Sequence, residues 1–162
     1  MHTISRAILT LGLAAGLCAA ASAQPVKPDP SHLPFVPPEN IKWSGTAASP
    51  MQSATLFGDP DKAGPYAILV KWNPGNFSKP HFHTTDRWAY VISGTWWVST
   101  SNVYDESKTY PVPAGTFATD IANTVHYDGA KAGGPPAVLE IVGMGPMKTV
   151  SVDENGKPKA PK

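Results

Sequence analysis

The chain holds a single cysteine, Cys18, and it falls inside an apolar N-terminal leader. With the leader removed no thiol is left, so disulfides, thiolate metal sites and cysteine nucleophiles are excluded. Charge is sparse too. Charged residues make up 15% of the sequence and the net charge is +1, against about a quarter charged in a usual globular chain. No Lys/Arg stripe occurs, which excludes the electrostatic footprint of a nucleic-acid partner or a polybasic membrane surface. No segment outside the leader repeats apolar residues at helical spacing between caps. Phosphate-binding loops, dinucleotide fingerprints, serine-nucleophile elbows and zinc-finger spacings are all absent.

Residues 1–23 read as a secretory signal. Arg6 supplies the positive start, Ile8 to Ala21 is apolar, and Ala21-Ser22-Ala23 is a small-x-small cleavage site. The apolar run is short for a membrane span. The expected mature chain starts at Gln24, is exported across the inner membrane, lies in the periplasm or outside the cell, and has no membrane span. Losing Arg6 brings the 13 basic residues down to match the 12 acidic ones. Four histidines remain: His32, His81, His83 and His126.

Proline (18) and glycine (14) are abundant and favour turns. The stretch 24–52 is read as a proline-rich arm leading into the first strand region, 53–148 as the single folded domain, and 149–162 as a flexible polar tail. Within the domain, short runs rich in β-branched and aromatic residues alternate with Gly, Pro, Asn and Asp. They are Ala54–Phe57, Tyr66–Trp72, Trp88–Ile92, Thr95–Thr100, Thr116–Ile121, His126–Tyr127 and Val138–Val142. Strands at this spacing imply an all-β sandwich or barrel.

His81-Phe82-His83 places two imidazoles on one face of a strand, where they can grip one ion. Two solvated surface histidines are the bland alternative, but Phe77, Phe82 and Trp88 make the segment look half buried. His126 follows a strand-like run and a polar turn at Asn123-Thr124. Taken alone, it reads as an ordinary structural histidine.

Together these residues resemble the two motifs of the cupin superfamily, in the manner of small single-domain bacterial cupins. Gly75, five residues, His81, Phe82, His83 and then Gly94 follow the first motif. Gly115, five residues, Ile121, Asn123 and His126 follow the second. Ile121 replaces a proline, Ala130 replaces a final asparagine, and Asn123 replaces a glycine, which suits a left-handed backbone. The resemblance implies a jelly-roll β-barrel holding one divalent transition metal (Fe, Mn, Zn, Ni or Cu) through three His and one Glu. It also implies a small organic ligand, for which an anionic group is considered, and allows a homodimer.

The sequence departs from the pattern at the glutamate, where Arg87 stands with Asp86 before it. Three readings follow. Asp86 is a fourth ligand, against the strand register. Alternatively, His81, His83 and His126 hold the metal alone and Arg87 anchors an anionic substrate group. Or the site has lost its metal. The aromatic residues near the motifs, Trp72, Phe77, Phe82, Trp88, Tyr90, Trp96, Trp97 and Phe117, line either a ligand cavity or an ordinary core. Adjacent Trp96 and Trp97 face opposite sides, so at most one lines the interior. The implied activity is a metal-dependent dioxygenase or an isomerase/lyase; the alternative is a non-catalytic small-ligand binding or sensing module.

Overall fold

A computed structural model describes residues 25–160, and the expected leader lies outside them. The chain divides into two units, residues 1–35 and 36–162. In the first, the described residues are extended apart from a turn in which His32 and Leu33 donate backbone N–H groups to the Asp29 carbonyl.

The second unit is built almost wholly of strands. They are β1 Met51–Phe57, β2 Gly64–Trp72, β3 Asn76–Phe77, β4 His81–His83, β5 Arg87–Ser93, β6 Thr95–Ser99, β7 Tyr110–Pro113, β8 Phe117–Asp120, β9 Tyr127–Ala130, β10 Ala137–Gly145 and β11 Thr149–Ser151. One sheet runs β1-β2-β10-β5-β8, a second runs β3-β9-β6-β7, and β11 pairs with β4. An antiparallel bridge from His81 to His126 joins β4 to the chain entering β9. Every pairing is antiparallel, and the sheets face each other as an all-β jelly-roll barrel. Among the described residues no helix is long and apolar enough to cross a membrane.

The core lies between the sheets. Val70 and Trp72 of β2, Ala89 and Val91 of β5, and Leu139 and Ile141 of β10 meet Trp96 of β6 and Ala130 of β9. These residues alternate along their strands, as the pleat requires. The Trp72 and Trp96 indole N–H groups both donate to Asp128 Oδ2, and Ser78 Oγ donates to Oδ1. One carboxylate thus satisfies two buried indoles and ties β2, β6 and β9 together. Gly94 turns the chain from β5 in one sheet to β6 in the other. Its φ is 72°, and an added Cβ would stand 2.2 Å from the Pro136 carbonyl oxygen, so only glycine fits.

Two expectations are corrected. The stretch read as a flexible tail begins with β11, and beyond it Val152 is buried and bridges Pro158. β7 was not expected as a strand because it holds Pro111 and Pro113. It sits at a sheet edge, where a missing N–H is tolerated. Most of the aromatics near the motifs belong to the core or the surface. Trp88, Tyr90 and Phe117 are exposed on the outer face of the large sheet, where Tyr90 pairs with Phe117. Trp96 is buried, while Trp97, pointing the other way, lies under the Lys131 ammonium.

Candidate metal centre

β4 alternates as expected: His81 and His83 are buried and Phe82 is half-buried. His126 reaches them because the turn before β9 is clamped to β4. Asn123 donates its N–H to the His83 carbonyl, and His81 and His126 exchange backbone hydrogen bonds. Asn123 has φ 61°, the left-handed geometry expected at that motif position. The three ring centroids stand 4.5, 4.8 and 5.3 Å apart, and one ligand atom from each ring lies within 4.8 Å of the others.

The Nδ1 atoms of the three rings face outward to partners. His81 Nδ1 donates to the Lys79 carbonyl at 2.8 Å. His126 Nδ1 faces the Thr124 carbonyl at 3.3 Å and Asp120 Oδ1 at 3.5 Å. His83 Nδ1 meets the Thr149 hydroxyl at 3.1 Å. A carbonyl only accepts, so Nδ1 of His81 and of His126 carries the proton and Nε2 keeps its lone pair. His81 Nε2 and His83 Nε2 then lie end to end at 3.1 Å. Two imidazole nitrogens in that position need a proton or a cation between them. The spacing suits two nitrogens each about 2.0–2.1 Å from a common ion.

Burial keeps His81 and His83 neutral. It pushes the His83 pKa down to about 2, with the Arg87 charge and the other two histidines adding to the effect. His81 is lowered by burial first and by His126 second. Neutral imidazole is the metal-binding form, so at neutral pH an ion displaces no proton from these two rings. The donor set, all imidazole and no thiolate, fits a divalent transition metal; three close histidines could hold one.

Asp86 and Arg87 each have a partner of their own. Asp86 is exposed, and its Oδ1 accepts the Ala122 N–H at 2.7 Å. It fastens the turn ahead of His126 and stands outside the three-histidine group. Arg87 opens β5 directly opposite Asp120 of β8. Its Nε and Nη2 both donate to Asp120 Oδ2, at 2.9 and 2.6 Å, in a pair whose side chains are 12% and 9% exposed. The guanidinium is paired with Asp120 through two of its five donors. Asp120 Oδ2 lies 3.9 Å from His83 Nε2, but His83 is neutral, so this is not an ion pair.

Asp120 and Thr149 were not among the candidate site residues read from the sequence. A carboxylate on the inward, alternate position of an apolar strand, six residues before His126, was the available signal for Asp120. Nothing local signals Thr149.

Beside His126 and Asp120 opens a cavity of about 380 Å³. Its walls are Trp96, Val98, Val112, Ala118, Ile121 and Val125, with Thr100, Thr119 and Thr124 among them.

A jelly roll with two motif histidines on β4 and a third ahead of β9 is the cupin fold. Solved structures agree. The chain is similar to the polyketide cyclase RemF from Streptomyces resistomycificus, with 19% identity, TM-score 0.57, and 75% of this chain and 88% of that one covered. An RmlC-like cupin from Ralstonia eutropha gives 19%, 0.59, 78% and 76%. A cupin-superfamily sugar phosphate isomerase from Silicibacter pomeroyi gives 20%, 0.56, 74% and 82%. At these identities the likeness shows the fold. No protein-family profile matches the sequence, and no curated protein matches it.

Proposed function

We propose that the chain is an exported, metal-dependent enzyme of the dioxygenase type, acting on a small organic molecule in the barrel cavity. The observation that carries this is the 3.1 Å approach of His81 Nε2 to His83 Nε2, with His126 beside them and every Nδ1 turned outward. A bound redox-capable ion would supply dioxygen activation and polarisation of a substrate oxygen. Incorporating both oxygen atoms needs no outside reductant. The protein's part is to hold three imidazoles on one side and a largely apolar cavity on the other. Proton-transfer chemistry of the isomerase or lyase kind is less well served. Among the described residues, the ionisable groups lining the cavity are His126 and Asp120, and Arg87 already holds Asp120. That same observation favours a second reading, a binding module that does not turn its ligand over.

Elemental analysis of protein purified from the periplasm and reloaded with Fe(II) tests the site, and oxygen uptake over a panel of small organic acids tests the chemistry. The expected result is one ion per chain, dioxygen consumed in step with product, both lost in His81→Ala, and an N-terminus at Gln24. No stoichiometric metal after reloading sinks the metal site. Ligand binding without oxygen uptake establishes the binding module instead.

A further inference from the structure

We infer that Tyr66 is a positioning residue of the metal centre: its buried hydroxyl receives the free end of the Arg87 guanidinium when an ion binds the three histidines. This rests on the metal reading and adds to it a residue that belongs neither to the histidine group nor to the cavity walls. Four strands of the large sheet bring the parts into line. Tyr66 of β2 stands opposite Gly143 of β10, Gly143 opposite Arg87 of β5, and Arg87 opposite Asp120 of β8. Partners across a sheet share a face. Tyr66 is wholly buried, and its hydroxyl has no hydrogen-bond partner among the described residues. Such a hydroxyl is destabilising where it stands. Gly143 is what lets it reach so far: a Cβ there would stand 2.6 Å from the hydroxyl oxygen and 2.8 Å from the ring carbon that bears it. The hydroxyl therefore lies over Gly143, on the flank of Arg87. Burial pushes its pKa up, and the charges that reach it are those of Arg87 and Asp120.

Arg87 has the donors to match. Its Nε and Nη2 form one edge of the planar fork and are held by Asp120. Asp120 lies on the β8 side, so the Nη1 end falls on the β10 side, where the Tyr66 hydroxyl stands. The guanidinium is also close to the histidines. Asp120 Oδ2 is 2.6 Å from Arg87 Nη2 and 3.9 Å from His83 Nε2. With a second positive charge on the histidines, the guanidinium is best held away from them, because like charges repel strongly in a buried setting. Asp120 keeps one edge of the fork, and the Tyr66 oxygen is a neutral acceptor for the other end. Phenylalanine at this place would fill the same space and accept nothing.

Zinc is titrated into the full chain against a chromophoric chelator, and the guanidinium is followed by NMR. Arg6 and Arg87 are the only arginines in the sequence, so isotope-labelled arginine gives Arg87 a signal of its own. In wild type, zinc should slow rotation of the guanidinium and separate its Nη signals, and chelation should merge them. Tyr66→Phe should weaken zinc binding about ten-fold and leave the Nη signals merged with zinc bound. The melting temperature of its chelated form should be no lower than that of wild type, because the hydroxyl has no partner there. Gly143→Ala displaces the tip of the ring and should weaken zinc in the same way, which keeps the test open if Tyr66→Phe does not fold. In an Arg87→Met background, Tyr66→Phe should change zinc affinity less than about two-fold. Separate Nη signals in Tyr66→Phe overturn the inference. So does a zinc affinity in Tyr66→Phe within about two-fold of wild type, or a ten-fold loss that persists in the Arg87→Met background. A chelated Tyr66→Phe chain that melts well below wild type makes the hydroxyl structural and overturns it too. Each of these leaves the three-histidine site standing, whereas a wild-type chain that takes up no zinc overturns the metal reading and this one with it.

Discussion

Asp120 receives Arg87 on one carboxylate oxygen and stands 3.5 Å from His126 Nδ1 with the other. It is a positioning residue: it fixes the ring through the nitrogen that faces away from the other two histidines. Carboxylates in this place raise ligand basicity and set ring orientation, and removing them typically costs 10- to 100-fold in metal affinity. Asp120→Asn also leaves the guanidinium of Arg87 largely buried beside a neutral amide. The variant is expected to bind zinc about 10- to 100-fold more weakly in competition with a chromophoric chelator, with zinc still held by three imidazoles. An affinity within two-fold of wild type would remove Asp120 from the site. His81 and His83 were legible in the sequence because alternation along one strand is local. Asn123 was legible because few residues tolerate positive φ. The Arg87–Asp120 pair was not legible as a lock, since it depends on β5 and β8 aligning those two residues across 33 positions of chain. The contact of Asp86 was hidden for the same reason: its carboxylate reaches Ala122, 36 residues away.

At the scale of elements, β11 gives β4 its order. Thr149 pairs with His83, Val150 with Phe82 and Ser151 with His81. The histidine strand is three residues long and would be marginal without a neighbour. The Thr149 hydroxyl also meets His83 Nδ1. A metal on His83 Nε2 requires that Nδ1 carry the proton, with the hydroxyl accepting it. Thr149→Val keeps the branched side chain that suits a strand and deletes the acceptor. Zinc affinity should fall about ten-fold, with the melting temperature of the chelated protein nearly unchanged, and Thr149→Ser should restore it. Equal affinity in the valine variant would mean that the hydroxyl orients nothing. The seven strands anticipated from the sequence all appear, extended or trimmed by a few residues, because each carries its own apolar run between turn residues. Besides the two-residue β3, β11 and β7 were not anticipated. One is polar and takes its stability from β4; the other holds two prolines that only an edge position accommodates.

Across the whole molecule, the three histidines join two stretches of chain. His81 and His83 lie on the short ladder with β11, and His126 sits at the junction of β8 and β9, next to the large sheet through Asp120. An ion bound to all three binds only the folded arrangement, because the unfolded chain does not hold His126 near the other two. Binding is therefore linked to folding. At a free metal concentration one hundred times Kd, one site stabilises the fold by about 2.7 kcal/mol. For a domain of this size that corresponds to a rise on the order of 10 °C in melting temperature. Scanning calorimetry with zinc and with chelator should show that difference in the wild-type chain. His81→Ala, which removes a ligand from the buried ladder, and His126→Ala, which removes the one from the other stretch, should each abolish most of it. If zinc raises the melting temperature of His126→Ala as much as that of wild type, the ion is held within β4 alone and does not join the two stretches.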